Sequence, residues 1–112
     1  MTKKISRDEL KDLIDRDGGA VAEALAEQYF EEEHLPGAVN VPHLAEEELI
    51  TERLPNKDAP VVTYCASLTC RNSEILAERL VAMGYSDVRE YAEGKADWIE
   101  AGLPVVGRVV SS

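Results

Sequence analysis

A chain of 112 residues has the size of one domain, so any site must be built on a single core spanning residues 1–112. Hydrophobic residues make up 45% of the chain, an ordinary globular share, and no apolar run approaches the roughly twenty residues of a membrane-spanning helix. Twelve basic against twenty-two acidic residues leave a net charge of -10 and no basic stripe, which argues against nucleic acid and anionic membrane as partners.

The opening Met1-Thr2-Lys3-Lys4-Ile5 has lysines but no apolar stretch after them and no small-residue cleavage site, so it does not read as a secretory signal, and a cytoplasmic location is expected. Ser6-Arg7-Asp8-Glu9 is a capping box ahead of Leu10, Leu13 and Ile14, which predicts a first helix that stops at Gly18-Gly19. Residues 20–25, between that double glycine and the acidic segment Glu27 to Glu33, are expected to form a buried strand. His34-Leu35-Pro36-Gly37 is a turn, followed by a short strand over Ala38 to Val41 that Pro42 ends. Residues 44–53, acidic with Leu44, Leu49 and Ile50 as sparse apolar positions, suit a solvated helix covering one side of a sheet.

Asp58-Ala59-Pro60 breaks the chain before Val61-Val62-Thr63-Tyr64, a β-branched run with the look of a central parallel strand. A loop to about Asn72 leads into a helix marked by Ile75, Leu76, Leu80 and Met83 and ended by Gly84. Val88 to Tyr91 is a last strand, Glu93-Gly94 a turn, Lys95 to Ala101 a helix carrying Trp98, and Val105 to Val110 an apolar tail. This alternation predicts a small α/β domain whose central sheet is mainly parallel, with helices on both faces.

In such a sheet ligands bind beyond the carboxyl ends of the strands, and the segment from Tyr64 to Ser73 spans one of those junctions. Cys65 and Cys70, five positions apart, do not form the dispersed pattern of a secreted disulfide scaffold and point to thiol chemistry instead. The reactive species of a cysteine is its thiolate, and a helix N-terminus, loop N–H groups and a nearby arginine all favour it. Cys65 is therefore expected to have a lowered pKa and to react faster than Cys70. The same loop, through Ala66, Ser67, Leu68, Thr69, Arg71, Asn72 and Ser73, is the candidate anion-binding segment, with Arg71 adding a permanent charge. A metal site would have to gather Cys65, Cys70, His34 and His43, but the histidines lack ligand spacing and each sits in a turn beside a proline, so no metal is expected.

Several of these segments resemble one family. His34-Leu35-Pro36-Gly37-Ala38-Val39-Asn40-Val41-Pro42 is similar to the His-Ile-Pro-Gly-Ala-Ile-Asn-Ile-Pro segment of rhodanese-like domains, where it is structural. Val61 to Cys65 resembles the strand that ends in that family's catalytic cysteine, Gly84-Tyr85 with Asp87-Val88 resembles its Gly-Tyr-x-x-Val pattern, and Gly94, Trp98 and Ala101-Gly102-Leu103-Pro104-Val105 resemble its closing signature. The resemblance runs from about residue 20 to residue 106 and implies a sulfurtransferase. Cys65 would carry sulfane sulfur as a persulfide from a small anionic donor such as thiosulfate to a thiol or cyanide acceptor, or to a protein sulfur acceptor, with no cofactor. Three departures stand out: Glu23-Ala24-Leu25 replaces the family's Asp-x-Arg, Glu93 replaces a glycine, and the loop is about two residues longer than the common form. The longer loop resembles a single-domain subgroup with a second loop cysteine, which implies a persulfide-resolving role for Cys70.

Two other functions fit the residues. Cys65 and Arg71 enclose five residues, the spacing of the phosphate cradle in cysteine-based phosphatases and arsenate reductases, although no carboxylic acid lies within the loop to serve as general acid. A non-catalytic redox-sensing or binding module is the third reading, and Cys70 keeps it open.

Overall fold

The computed structural model describes residues 2–107. Five strands, β1 (Thr2–Lys4), β2 (Ala20–Glu23), β3 (Val39–Asn40), β4 (Val61–Tyr64) and β5 (Val88–Tyr91), lie in the order β1-β5-β4-β2-β3, and every neighbouring pair is parallel. The intervening helices are α1 (Arg7–Asp15), α2 (Glu27–Glu32), α3 (Glu47–Arg53), α4 (Asn72–Ala82) and α5 (Gly94–Glu100). The α/β architecture expected from the sequence is thus the one found. No helix among the described residues is long and apolar enough to cross a membrane.

Residues alternate between the two faces of a strand, and that alternation divides the core in two. On one face Ala22, Val61, Cys65 and Val88 pack with Ile50 and Leu54 at α3 and with Leu76, Ala77 and Leu80 of α4. On the other, Val21, Val62, Tyr64 and Tyr91 pack with Leu10 and Leu13 of α1 and with Trp98 of α5. Burying side chains of this size contributes about 1.5–3 kcal/mol each, and β4, buried at all four positions, is the strand against which both layers close.

The capping box forms as read: Ser6 Oγ accepts from the Glu9 N–H while Glu9 accepts from the Ser6 N–H. The stop of α1 differs. The left-handed residue is Asp17 (φ 52), with the Asp17 N–H donating to Ile14 O and the Gly18 N–H to Leu13 O, the bonding pattern of a Schellman end. Aspartate tolerates that conformation; Gly19 is needed for another reason, since a Cβ there would lie 2.6 Å from Pro60 O. Strand β1, which sequence reading did not anticipate, is three exposed polar residues with no alternation to read, and its register against Val88, Arg89 and Glu90 of β5 defines it. In the segment read as an apolar tail, Val106 bridges His34, and residues 108–110 lie outside the described residues.

The connection from β2 leads outward to β3, whereas β4 adds to the other side of β2 and β5 continues in that direction. The carboxyl ends of β2 and β4 therefore flank the position where the connections diverge, which is where open α/β sheets form their binding crevice.

Candidate active site

Cys65 is the first residue after β4, in that crevice. The Ala24 N–H donates to Tyr64 O at 2.8 Å, fastening the end of β2 to the end of β4. From the far side, the first turn of α5 grips the loop: the Lys95 N–H donates to Cys65 O and the Ala96 N–H to Ala66 O, both at 2.8 Å. This approach depends on Gly94, whose φ of 77° suits glycine and whose position leaves no room for a side chain, since a Cβ would lie 2.8 Å from both Cys65 O and Ser67 N.

The Cys65 side chain is buried, 1% exposed, among Ala22, Leu25, Leu76 and Ala77. Its thiol has two acceptors for one hydrogen, Cys70 O at 3.3 Å and Ser73 Oγ at 3.5 Å. Burial pushes the Cys65 pKa above the ordinary thiol value and the neighbouring Cys70 side chain adds to the effect, outweighing the Ser73 hydroxyl and N–H that pull it down. This corrects the expectation of a lowered pKa. The strand and the start of α4 do flank the sulfur, but removal from water disfavours the thiolate more than the helix end stabilises it.

The remaining loop residues divide by what they touch. Ala66, Leu68 and Thr69 are exposed, Ser67 Oγ lies 3.1 Å from Thr69 Oγ1, and the Cys70 N–H closes a turn onto Ser67 O. The N–H groups of Ser67, Leu68 and Thr69 donate to no protein acceptor among the described residues. Cys70 is half-buried and, like Cys65, a free thiol. Asn72 reaches Ala24 O at 3.4 Å, and buried Ser73 donates from its hydroxyl to Glu90 Oε2 at 2.9 Å. Arg71 does not join the loop in facing the sulfur: its guanidinium is held in solvent by Glu74 Oε1, at 3.1 Å from Nε and 2.6 Å from Nη2.

Sequence reading missed a buried polar network beside this loop. Glu23, fully buried at the end of β2, accepts the Tyr64 hydroxyl at 2.7 Å and faces the Lys95 ammonium at 3.1 Å. Lys95 also donates to Tyr29 O at 3.1 Å and Glu33 O at 2.5 Å, while Tyr64 Oη accepts the Leu35 N–H at 3.1 Å. Burial raises the Glu23 pKa, opposed by the Tyr64 hydroxyl and by Lys95. The signal was present as a glutamate inside the apolar run of residues 20–25. Glu23 is also where the family's Asp-x-Arg pair is absent, and its cation comes from Lys95 on α5, 72 residues away.

Among the described residues neither histidine is hydrogen-bonded to the Cys65 sulfur, to Cys70 O or to Ser73 Oγ. His34 stacks on Phe30 with ring centroids 3.8 Å apart and pairs Nδ1 with Phe30 O at 2.8 Å, and His43 offers its carbonyl to Arg79. Among the described residues no group of three or more His, Cys, Asp or Glu side chains is gathered so as to hold a metal ion.

The family model for the rhodanese-like domain matches residues 6–101. No curated protein sequence matches the chain. Among solved structures, the chain is similar to the BH2092 protein from Bacillus halodurans (24% identity, TM-score 0.86, covering 94% of this chain and 77% of that one). It is also similar to a thiosulfate sulfurtransferase from Pseudomonas aeruginosa (25% identity, TM-score 0.83, covering 96% of this chain but 20% of that one). A rhodanese with anions from E. coli shares 31% identity at a TM-score of 0.64, covering 79% of this chain and 96% of that one.

Proposed function

The chain belongs to the rhodanese-like domain family, and on that premise we propose that it is a sulfurtransferase that carries sulfane sulfur as a persulfide on Cys65. The observation that carries this reading is the placement of the Cys65 sulfur at the carboxyl end of the central strand, against the Ser73 hydroxyl at the start of α4. The similar thiosulfate sulfurtransferase supports thiosulfate as the class of donor.

In the loading step the Cys65 thiol first gives its proton to solvent. The thiolate then attacks the outer sulfur of thiosulfate; a new Sγ–S bond forms, the donor's S–S bond breaks, and sulfite departs with the electron pair. In the unloading step a thiolate or cyanide attacks the terminal persulfide sulfur, and the electron pair of the breaking S–S bond returns to Cys65. The unbonded N–H groups of Ser67, Leu68 and Thr69 are the donors available to an anion over the loop. Because Cys65 is buried, the loop must move aside for the donor to reach the sulfur. The clefts beside the loop are lined by Glu32 and Glu33 on one side and by Glu93 and Glu100 on the other, which favours a neutral or cationic thiol acceptor, a protein cysteine included.

The phosphatase reading, whose support is the Cys65-to-Arg71 spacing, is less favoured on two counts. Arg71 is engaged by Glu74, and Asp97, a carboxylate beside the loop, is held below its ordinary pKa by the Tyr91 hydroxyl and Arg7, which makes it a poor proton donor to a leaving oxygen. The test is formation of thiocyanate from thiosulfate and cyanide. Wild type and Cys70→Ser should turn over and Cys65→Ser should not; turnover that survives Cys65→Ser overturns the proposal.

A further inference from the structure

Glu90 has no part in the chemistry described so far. It lies on β5 in register with Thr63 of β4 and Lys4 of β1, and is 5% exposed. Its Oε1 accepts from the Lys4 ammonium at 2.6 Å and its Oε2 from the Ser73 hydroxyl at 2.9 Å. Ser73 Oγ is in turn one of the two acceptors of the Cys65 thiol, beside the Ser73 N–H that also acts on the sulfur. A carboxylate only accepts hydrogen bonds and a serine hydroxyl has one hydrogen, so the direction of this chain is fixed. Ser73 gives its hydrogen to Glu90 at 2.9 Å and offers a lone pair to Cys65 at 3.5 Å, so the downward pull its hydroxyl exerts when it donates to the sulfur is withheld while Glu90 holds that hydrogen. The second neighbour, Cys70 O, is also purely an acceptor.

We propose that Glu90 is a positioning residue that governs Cys65 through Ser73: by holding the one Ser73 hydroxyl hydrogen, the carboxylate presents the sulfur with acceptors and keeps Cys65 a thiol, and loss of the Glu90 charge frees that hydrogen to turn onto a thiolate. The inference rests on Cys65 being the nucleophile, but it concerns the proton on the sulfur and not the identity of the donor.

The surrounding charges define what tunes the device. Glu90 borders a cleft shared with Lys4 of β1, Glu9 of α1 and Glu93 beyond β5, and Glu74 of α4 acts on Lys4. Lys4 is the cation in this group, and on the sulfur side Cys70 is the neighbouring titratable group. Lys4 draws on the Glu90 charge and so weakens its hold on Ser73; removing Lys4 should strengthen that hold.

The test is the pH profile of Cys65 alkylation by iodoacetamide, followed by peptide mass mapping so that Cys65 is read separately from Cys70. In Glu90→Gln the amide can donate to Ser73 Oγ, and the profile's midpoint should fall by about one pH unit, giving about tenfold faster alkylation near neutral pH. In a Ser73→Ala background the same substitution should move the midpoint by less than a third as much. Lys4→Met, an exposed substitution, should raise the midpoint. An unchanged or raised midpoint in Glu90→Gln, or an equal shift without Ser73, overturns the proposal. If Glu90→Gln does not fold, Lys4→Met decides: an unchanged or lowered midpoint contradicts it. Thiosulfate takes no part in the readout, so failure here is separate from failure of the sulfurtransferase reading.

Discussion

The Lys95 ammonium lies 3.1 Å from Glu23 Oε2 in the interior, joining the first turn of α5 to the end of β2 just beneath the loop that carries Cys65. The backbone N–H of the same lysine donates to Cys65 O. One residue thus ties the ion pair to the position of the nucleophile.

Removing one partner of this pair should cost far more than removing an exposed one. Lys95→Met strands the Glu23 carboxylate away from water, and a loss of about 3–5 kcal/mol is expected. Adding Glu23→Gln should recover part of it, because the neutral side chain still meets the Tyr64 hydroxyl. Urea denaturation of the two variants checks the sign and size of the recovery.

Tyr64→Phe removes the group that donates to Glu23 and accepts from Leu35. Two buried polar atoms lose a partner at once, and about 2–4 kcal/mol of stability should be lost. A loss below about 0.5 kcal/mol would mean that water or a shifted side chain replaces the hydroxyl.

Cys65 is buried with a raised pKa, whereas Cys70 is half-buried, so iodoacetamide at neutral pH should modify Cys70 first, the reverse of what the sequence predicts. Alkylation of Cys65 should climb only as pH passes the ordinary thiol range. Stability follows the same sign: the unfolded chain releases this proton first, so the contribution is full below the unfolded pKa and is lost as pH rises through the folded one. Peptide mass mapping over a pH series measures the order of reaction.

Gly94→Ala places a methyl group against the Cys65 carbonyl and the Ser67 N–H at a backbone angle that disfavours alanine. It should lower stability by about 1–3 kcal/mol and displace the loop. Arg71→Ala should change the rate with thiosulfate by less than about threefold, since it removes only an exposed Arg71–Glu74 pair.

The sequence carried the fold through strong local signals: the buried run of β4, the capping box of α1 and the glycine-ended α4 each declare themselves within a dozen residues. Strand β1 did not, because exposed Thr2, Lys3 and Lys4 become a strand only through the edge of β5 that they pair with. The position of Cys65 was legible in the same way as β4, but its chemistry was not. Its raised pKa comes from burial and from the Cys70 side chain five residues on, and the partners that surround it, Ser73 and Glu90, are related by bonds spanning 8 and 17 positions. The Glu23–Lys95 pair spans 72 positions, beyond any local pattern. Spacing marks Arg71 as an anion ligand but cannot show that Glu74, one helical turn on, claims it first.

The central claim is that Cys65 carries sulfur, and the intact mass of the protein after incubation with thiosulfate and removal of excess donor tests it most directly. Wild type should gain the mass of one sulfur atom and lose it on addition of cyanide or a thiol, and Cys65→Ser should gain nothing because its hydroxyl is neither ionised nor soft enough to take the sulfur. A wild-type mass that stays unchanged under these conditions, or a sulfur gained equally by Cys65→Ser, would contradict the account.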